Sequence, residues 1–358
     1  MVDGLMPQAS LQPIGWLSPT SIEAMLACPL RLTHGHRAER KDPRSSAAAI
    51  GEVAHSLSAE VHSGEFDVEE GPSVMDSIAM RWDALCADAR TEMARQMGEA
   101  PHPDLWPGHG LAKSRLTRHL ANVVASRQSG EADSVLGVEV DLSDSSAKLR
   151  GRADRIEERS LGAAIIDLKS GWLPANGVPD SYRRQLIAYA YLWRAEHGRL
   201  PSELRLEGLS GAQATIEFSR ADIDAHIADV IDRRTEINWL ISDGATPHDI
   251  AQPSADACRW CSHRPWCSPH WDALGPDWDD HRAHFKGSVV SVKQASDGDV
   301  AAVSLISGNV ESEAGRVTIS GLGVGVEVGQ SLTVVGALST QSADHYRVGM
   351  DTVVLVGV

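Results

Sequence analysis

The spacing of apolar residues divides the chain into three stretches of different character. Between residues 18 and 128 apolar positions recur at helical intervals. Ser18-Pro19-Thr20-Ser21-Ile22-Glu23 opens a helix, either with Thr20 and Glu23 as a capping box or with Ser18 as the cap and Pro19 at the first helical position. A second helix is predicted over 46–62, where Ile50, Val53, Ala54, Leu57 and Val61 form one stripe with His55 beside it. A third covers 74–97, with Met75, Ile78, Trp82, Leu85, Ala89 and Met93 on one face and Cys86 at its border. A fourth covers 111–128. Residues 1–17 carry no such pattern and read as a loose N-terminal arm.

From residue 134 the period changes. Runs 134–142 and 147–157 read as strands, and 162–169 (GAAIIDLK) is a nearly continuous apolar run, the mark of a central strand buried on both faces. A helix over 179–197, two short strands over 204–209 and 214–218, and a long amphipathic helix over 220–242 follow, then a Pro- and Cys-bearing loop over 246–270. Beyond 287 the helix signal stops. Five strand-like runs, at 287–293, 299–306, 315–320, 331–338 and 345–356, fit a small OB-like β-barrel, and an SH3-like barrel would look similar. The expected fold class is α/β: a mixed sheet flanked by helices over 18–270, a linker over 271–286 and the all-β barrel over 287–358.

Composition narrows the picture. The 358 residues are 42% hydrophobic and 23% charged, which excludes a disordered or fibrous chain. No apolar run approaches the roughly 20 residues needed to span a bilayer, and the N-terminal stretch lacks the basic-then-apolar order of a signal peptide. A cytoplasmic protein without a membrane partner is expected. The net charge of −16 argues against a passive nucleic-acid coat but leaves room for an enzyme with a locally basic cleft. No GxxxxGK[ST] phosphate loop occurs, so the chain carries no motor of its own.

The candidate chemistry sits at strand ends. In the run ending IIDLK, Asp167 and Lys169 share a face and Leu168 turns the other way, while Ser170-Gly171 breaks the strand and exposes its end. A carboxylate there can hold a hard divalent cation, with the ammonium beside it stabilising charge or activating water. A D-x-K tripeptide is also common as a plain salt bridge. Asp154, in GRADRI, precedes it on a neighbouring strand, and Gln185 and Tyr189 follow at i, i+4 on one helix face. Glu139 reads equally as a further acid or as a solvent-facing strand residue, and stays outside the expected site. Cys258-x2-Cys261-x5-Cys267 is a compact group of thiols that zinc would suit, with His263 or His270 completing the set. Five unevenly spaced cysteines are too few for a disulfide framework.

The order His55, GRAD with Asp154, DLK with Asp167 and Lys169, and Gln185-x-x-x-Tyr189 resembles the PD-(D/E)XK nuclease superfamily in its RecB-like branch, which includes the nuclease domains of RecB and AddB and the CRISPR-associated adaptation exonucleases. The resemblance covers residues 16–270. It implies that His55, Asp154, Asp167 and the Leu168 backbone carbonyl ligate Mg²⁺ or Mn²⁺. Lys169 would position or help deprotonate the attacking water, and Gln185 and Tyr189 would orient the lysine and the DNA backbone. The segment LSPTSIEAMLACPLR around Cys28 resembles the N-terminal part of the iron–sulfur nucleases of that branch. By that likeness Cys28, Cys258, Cys261 and Cys267 would hold a [4Fe–4S] cluster, shielded by Trp260, Pro265 and Trp266, with zinc in the same four-cysteine site as the alternative.

The implied function is a metal-dependent DNA nuclease, an exonuclease on single-stranded ends in repair, recombination or defence, beside a helicase or repair protein on a separate chain. Two other classes stay open: a non-catalytic DNA-binding or scaffold subunit, and a zinc-stapled structural protein whose D-x-K is a surface ion pair. The barrel region has three basic residues, seven acidic ones and one aromatic, Tyr346. That composition favours docking or structural packing over single-strand binding.

Overall fold

A computed structural model of the chain describes residues 11–33, 46–66, 72–97, 100, 102–130, 134–171, 177–259, 261, 263–275, 278, 282–295, 298–310, 312–322, 325–349 and 352–357. The described residues form two compact units. One comprises 14–23 and 46–238, the other 11–13, 24–33 and 239–357.

In the first unit residues 14–17 are not loose. Leu17 forms a parallel bridge with Leu149, its N–H donates to the Lys148 carbonyl at 3.0 Å, and its carbonyl accepts from the Arg150 N–H at 2.9 Å. Burial of Ile14 and Leu17 supplies the driving force that the sequence pattern did not display. Helix α1 (Pro19–Ala27) then starts from Ser18 and Ser21, which cap each other's backbone N–H groups. Pro19 holds the first helical position, so the Ser18 alternative is the one realised. Glu23 is not a capping residue; it takes a two-pronged bond from Arg184 at 2.8 and 2.6 Å.

Helix α2 (Leu30–Thr33) is a single turn. Helices α3 (Ser46–Ser63), α4 (Val74–Met97) and α5 (His109–Gln128) pack together through Val53, Leu57, Ile78, Trp82, Leu116 and Leu120. The stripe expected on α3 is buried as a whole, whereas Met75 on α4 faces solvent.

The sheet of this unit is mixed. Strands β1 (Val135–Asp144), β2 (Leu149–Arg159), β3 (Gly162–Lys169), β4 (Glu203–Gly208) and β5 (Gln213–Thr215) lie in chain order, antiparallel except for the parallel pair β3/β4. A parallel pair needs a crossover, and α6 (Asp180–His197) provides it. Residues 163–168 of β3 are all buried, as the continuous apolar run requires. Helix α7 (Arg220–Ser242) follows.

In the second unit the Pro- and Cys-bearing segment is not a plain loop. It holds α8 (Pro247–Ile250), α9 (Ala255–Arg259), a 3₁₀ turn at Arg264–Trp266 and α10 (Ser268–Ala273). The barrel strands are β6 (Arg282–Lys293), β7 (Asp299–Gly308), β8 (Arg316–Leu322), β9 (Ser331–Ser339), β10 (His345–Arg347) and β11 (Val353–Val356). The order β6-β7-β8-β10-β9 closes back on β6, with β10 parallel to β8, and β11 adds to β9. This is the closed OB-like barrel that the strand spacing predicts. Phe285, Val303, Ile319 and Val334 fill it.

The described residues of 271–286 are no free linker. The buried His270 ring packs against Trp271, Trp278 and His284, and β6 already begins at Arg282. Among the described residues no helix is long and apolar enough to cross a membrane.

Candidate active site

Asp167 and Lys169 end β3, and the pleat turns both side chains the same way. Lys169 Nζ lies 2.6 Å from Asp167 Oδ2 and donates to Gln185 Oε1 at 2.7 Å. The Gln185 amide in turn donates to Asp167 Oδ1 at 3.1 Å. One glutamine of α6 thus fixes both lysine and carboxylate. The Tyr182 ring lies 4.6 Å from the ammonium.

Asp154 comes from β2. Its Oδ2 accepts the Leu168 N–H at 2.6 Å, and its Oδ1 lies 3.2 Å from His55 Nδ1 on α3. Gly51, one helical turn before His55, has a position whose Cβ would meet the Ser170 hydroxyl at 3.3 Å, so glycine lets α3 approach the end of β3. Gly151 of the GRAD run is tighter still. A Cβ there would stand 2.8 Å from Pro19 Cδ and 2.9 Å from Tyr189 Cε1.

Tyr189 is buried and donates to the Arg152 carbonyl at 2.7 Å. Its hydroxyl therefore braces the strand that carries Asp154 and does not reach outward toward a DNA backbone, as the resemblance had implied. Burial and the nearby Asp154 and Asp167 charges raise its pKa well above the usual phenol range.

Glu139 joins this group although the sequence reading left it out. The β1/β2 register pairs Val138 with Arg155 and Val140 with Ala153, which sets Glu139 opposite Asp154. Its backbone adopts φ of +49°, an uncommon left-handed conformation for a residue other than glycine. His55, Glu139 and Asp154 present ligand atoms all within 4.8 Å of one another. Alternation along GVEVDL hides this. Counting the hairpin register back from the turn at 145–148 would have found it.

The electrostatics match a cation site. Burial raises the Asp167 carboxyl above the usual range; Lys169 opposes that rise and the Asp154 charge adds to it. Burial lowers the His55 imidazole pKa, but the hydrogen bond and charge of Asp154, with Asp167 and Glu139 behind it, outweigh burial and raise it overall. Burial, then Asp154, also raises Glu139. Three carboxylates gather around His55, and the one lysine beside them is paired with Asp167, an excess of negative charge that a divalent cation would neutralise.

The sequence model of the PD-(D/E)XK nuclease superfamily matches residues 16–268. The chain belongs to the PD-(D/E)XK nuclease superfamily. No curated protein matches the chain by sequence. Among solved structures, a Eubacterium rectale protein provisionally named an exonuclease overlays with a TM-score of 0.38 at 13% identity, over 64% of this chain and 82% of that one. The protein SSO0001 gives 0.27 at 16% identity, over 62% and 97%. A murine DNA-binding protein with double-stranded DNA gives 0.17 at 8% identity, over 63% and 96%. The superfamily assignment rests on the sequence match.

A second histidine–acid group lies within the same unit of this PD-(D/E)XK chain. His62, His119 and Glu207 also bring ligand atoms within 4.8 Å of one another. Here Arg155 occupies the centre. Its guanidinium grips Glu207 at 2.8 and 3.2 Å, donates to Glu157 at 2.7 Å, and lies 2.8 Å from His62 Nε2.

The four cysteines expected together, Cys28, Cys258, Cys261 and Cys267, line one small cavity in the second unit. All are free thiols, and Cys28 Sγ accepts the Gln252 N–H at 3.3 Å. Burial pushes the Cys258 thiol up to about 11 and Cys267 up to about 12. Such thiols ionise when a metal supplies the compensating charge. Pro265 is buried nearby and Trp266 is partly covered, while Trp260 lies outside the described residues. Cys86 instead packs among the α3–α5 core residues.

Proposed function

We propose that the chain is a metal-dependent DNA nuclease, an exonuclease on single-stranded ends. The observation that carries this reading is the Lys169–Asp167–Gln185 network opening onto Asp154, His55 and Glu139. The donor set of hard oxygens and one imidazole suits Mg²⁺ or Mn²⁺. Asp154, Asp167, His55 and the Leu168 carbonyl would hold it, with Glu139 as a further ligand. When bound, the metal supplies charge stabilisation at the phosphoryl oxygens and a more acidic water.

The protein's own groups do the rest. Gln185 keeps the Lys169 ammonium at the strand end, where it can orient the attacking water and take up negative charge as the phosphorus–oxygen bond breaks. Tyr189 and Gly151 hold the GRAD strand close to α6, which keeps Asp154 in register with Asp167.

The four thiols would hold a [4Fe–4S] cluster that staples the segment around Cys28 to the one around Cys258, and zinc is the alternative. Their shared cavity, and the burial that suppresses the acidity of Cys258, Cys261 and Cys267, suit either metal. The barrel, net acidic and poor in aromatics, would dock to a partner such as a helicase or repair protein on another chain. The protein would work in the cytoplasm.

The test is cleavage of end-labelled linear single-stranded, double-stranded and circular DNA with Mg²⁺ or Mn²⁺. Degradation of linear single strands with circles spared is expected. Cutting of circles would overturn exonuclease action, and inertness toward every DNA under both metals would overturn the nuclease reading. Iron and zinc analysis of the same preparation decides the cluster: iron with a brown colour that Cys258→Ser abolishes is expected, and zinc alone would replace it.

A further inference from the structure

Beside the acid–lysine centre, one face of β2 carries basic residues. Arg150 and Arg152 are exposed, alternate with the buried Leu149 and Ala153, and precede Asp154 on the same strand. Trp16 stands at the far end of this row. The backbone pairing of Leu17 with Lys148 and Arg150 fixes it there. Lys148 Nζ lies 5.3 Å and the Arg150 guanidinium 5.8 Å from the indole centroid. Trp16 as a residue remains 41% exposed. No carboxylate pairs with Lys148 or Arg150 among the described residues. On a chain with a net charge of −16, this cluster is a local inversion of sign.

Resting on the nuclease reading, we propose that Trp16, Lys148 and Arg150 form a binding platform for single-stranded DNA that feeds the strand to Asp154. An exposed indole offers a face on which an unpaired base stacks, and flanking cations take the adjoining phosphates. From Arg150 to Asp154 is four strand residues, about 13 Å, a few nucleotide steps from the scissile phosphate. Arg152 lies between them. Its pair with Asp141, at 2.8 and 3.1 Å, has both partners exposed and can exchange for a phosphate at little cost. Bases within a duplex have no free face, so the platform discriminates for single strands.

Binding of labelled oligo-dT and of a hairpin duplex is measured by anisotropy in EDTA, where no cleavage intervenes. Trp16→Ala should weaken single-strand binding on the order of tenfold, with a smaller loss for the duplex. Trp16→Phe should recover most of it. The Lys148→Ala/Arg150→Ala pair should reduce the slope of log affinity against log salt by about 1.4, roughly 0.7 for each phosphate contact on a single strand. Trp239→Ala removes an exposed tryptophan with no cation over its ring among the described residues, and should change nothing.

In cleavage assays with Mg²⁺ the Trp16→Ala loss should fall on KM rather than kcat. Wild-type affinity in Trp16→Ala, or equal losses for single strand and duplex, overturns the platform. If Trp16→Ala melts early, Trp16→Phe and the double cation variant decide in its place. A wild-type protein that cleaves nothing sinks the nuclease reading, while the binding comparison still decides the platform.

Discussion

Asp154 and Arg155 are neighbours on β2, and each meets a histidine of α3, His55 and His62, two turns apart. The two resulting clusters look alike on paper, since both bring histidine and carboxylate ligand atoms within 4.8 Å. Their charge balance separates them. Around Arg155 the guanidinium satisfies Glu207 and Glu157 at once, His119 lies 3.2 Å from Glu207, and Gln213 donates to Glu207 at 3.1 Å. Burial would raise the Glu207 pKa, but its bonds to His119 and Arg155 hold it far below the usual carboxylate range. That cluster already contains its cation. Around Asp154 the one lysine pairs with Asp167, the positive neighbours of Glu139 are His55 and the exposed Arg152, and the Asp167 pKa moves the other way. A histidine–acid triad is a metal site only where no arginine has taken the metal's place.

The largest effect that sharpens this contrast is on chemistry. Asp154→Ala and Lys169→Ala should each lower cleavage by several orders of magnitude, since the proposed mechanism assigns the first to the metal and the second to the attacking water. Asp167→Ala should do the same while leaving the fold as stable as wild type or more so, because it removes a buried carboxylate whose charged form is disfavoured. Cleavage rates and melting curves of the three variants check this. Wild-type rates in all three would dissolve the distinction between the clusters.

Next comes stability. Glu207→Ala leaves the Arg155 guanidinium buried and short of its principal partner, a change that typically costs about 3–5 kcal/mol. Chemical denaturation should show a loss of that order. Replacing the pair together, Arg155→Met with Glu207→Leu, should restore much of it. If Glu207→Ala costs no more than a surface substitution, the arginine cluster is not the self-contained ion network described above.

Much of this was legible in the sequence, and the exceptions share a cause. Strand β3 and helices α3 and α7 follow from local periodicity, because burial on one side or both writes itself into neighbouring residues. Asp154, Asp167, Lys169 and Gln185 stood out through their short motifs, and the fold brings them together. Glu139 did not, because its contribution depends on hairpin register and a left-handed backbone. The Arg155 cluster joins residues from five separate elements, so no window of sequence contains it. An acid inside the apolar run LRLEGL was its one local trace. The pairing of Leu17 with β2 was invisible for the same reason, and Trp16 with it.

A third measurement separates the clusters by ligand. Mn²⁺ or Mg²⁺ at about 100 times its dissociation constant should stabilise the wild type by about 2.7 kcal/mol per site. Asp154→Asn should abolish that response and Glu139→Gln should shift it to higher metal concentration. His62→Gln should leave it intact, since the Arg155 charge already excludes a cation there. Retention of the shift in Asp154→Asn together with its loss in His62→Gln would reverse the assignment of the two groups.

The smallest effect per step is the pH dependence, at most about 1.4 kcal/mol per pH unit, where the clusters should carry opposite signs. His62 is pushed down to about 3, first by burial and then by the Arg155 charge. Between that value and the ordinary histidine value of about 6.5, the unfolded chain binds a proton there that the folded chain refuses. Its stability contribution is therefore lost as pH falls through that window. Asp167 behaves in the reverse way without metal. Its folded pKa is raised by burial, so below that raised value the folded chain binds a proton that the unfolded one releases until about pH 4, and stability is gained on acidification. Each group changes the folding equilibrium by at most about tenfold per pH unit. Denaturation in EDTA from pH 7 to pH 4 should show His62→Gln losing less stability on acidification than wild type, and Asp167→Asn losing more. Saturating Mg²⁺ should abolish the Asp167 difference, because a bound cation keeps that carboxylate ionised in the folded chain as it is in the unfolded one, and should leave the His62 difference unchanged. Loss of the His62 difference instead would place the cation in the arginine cluster.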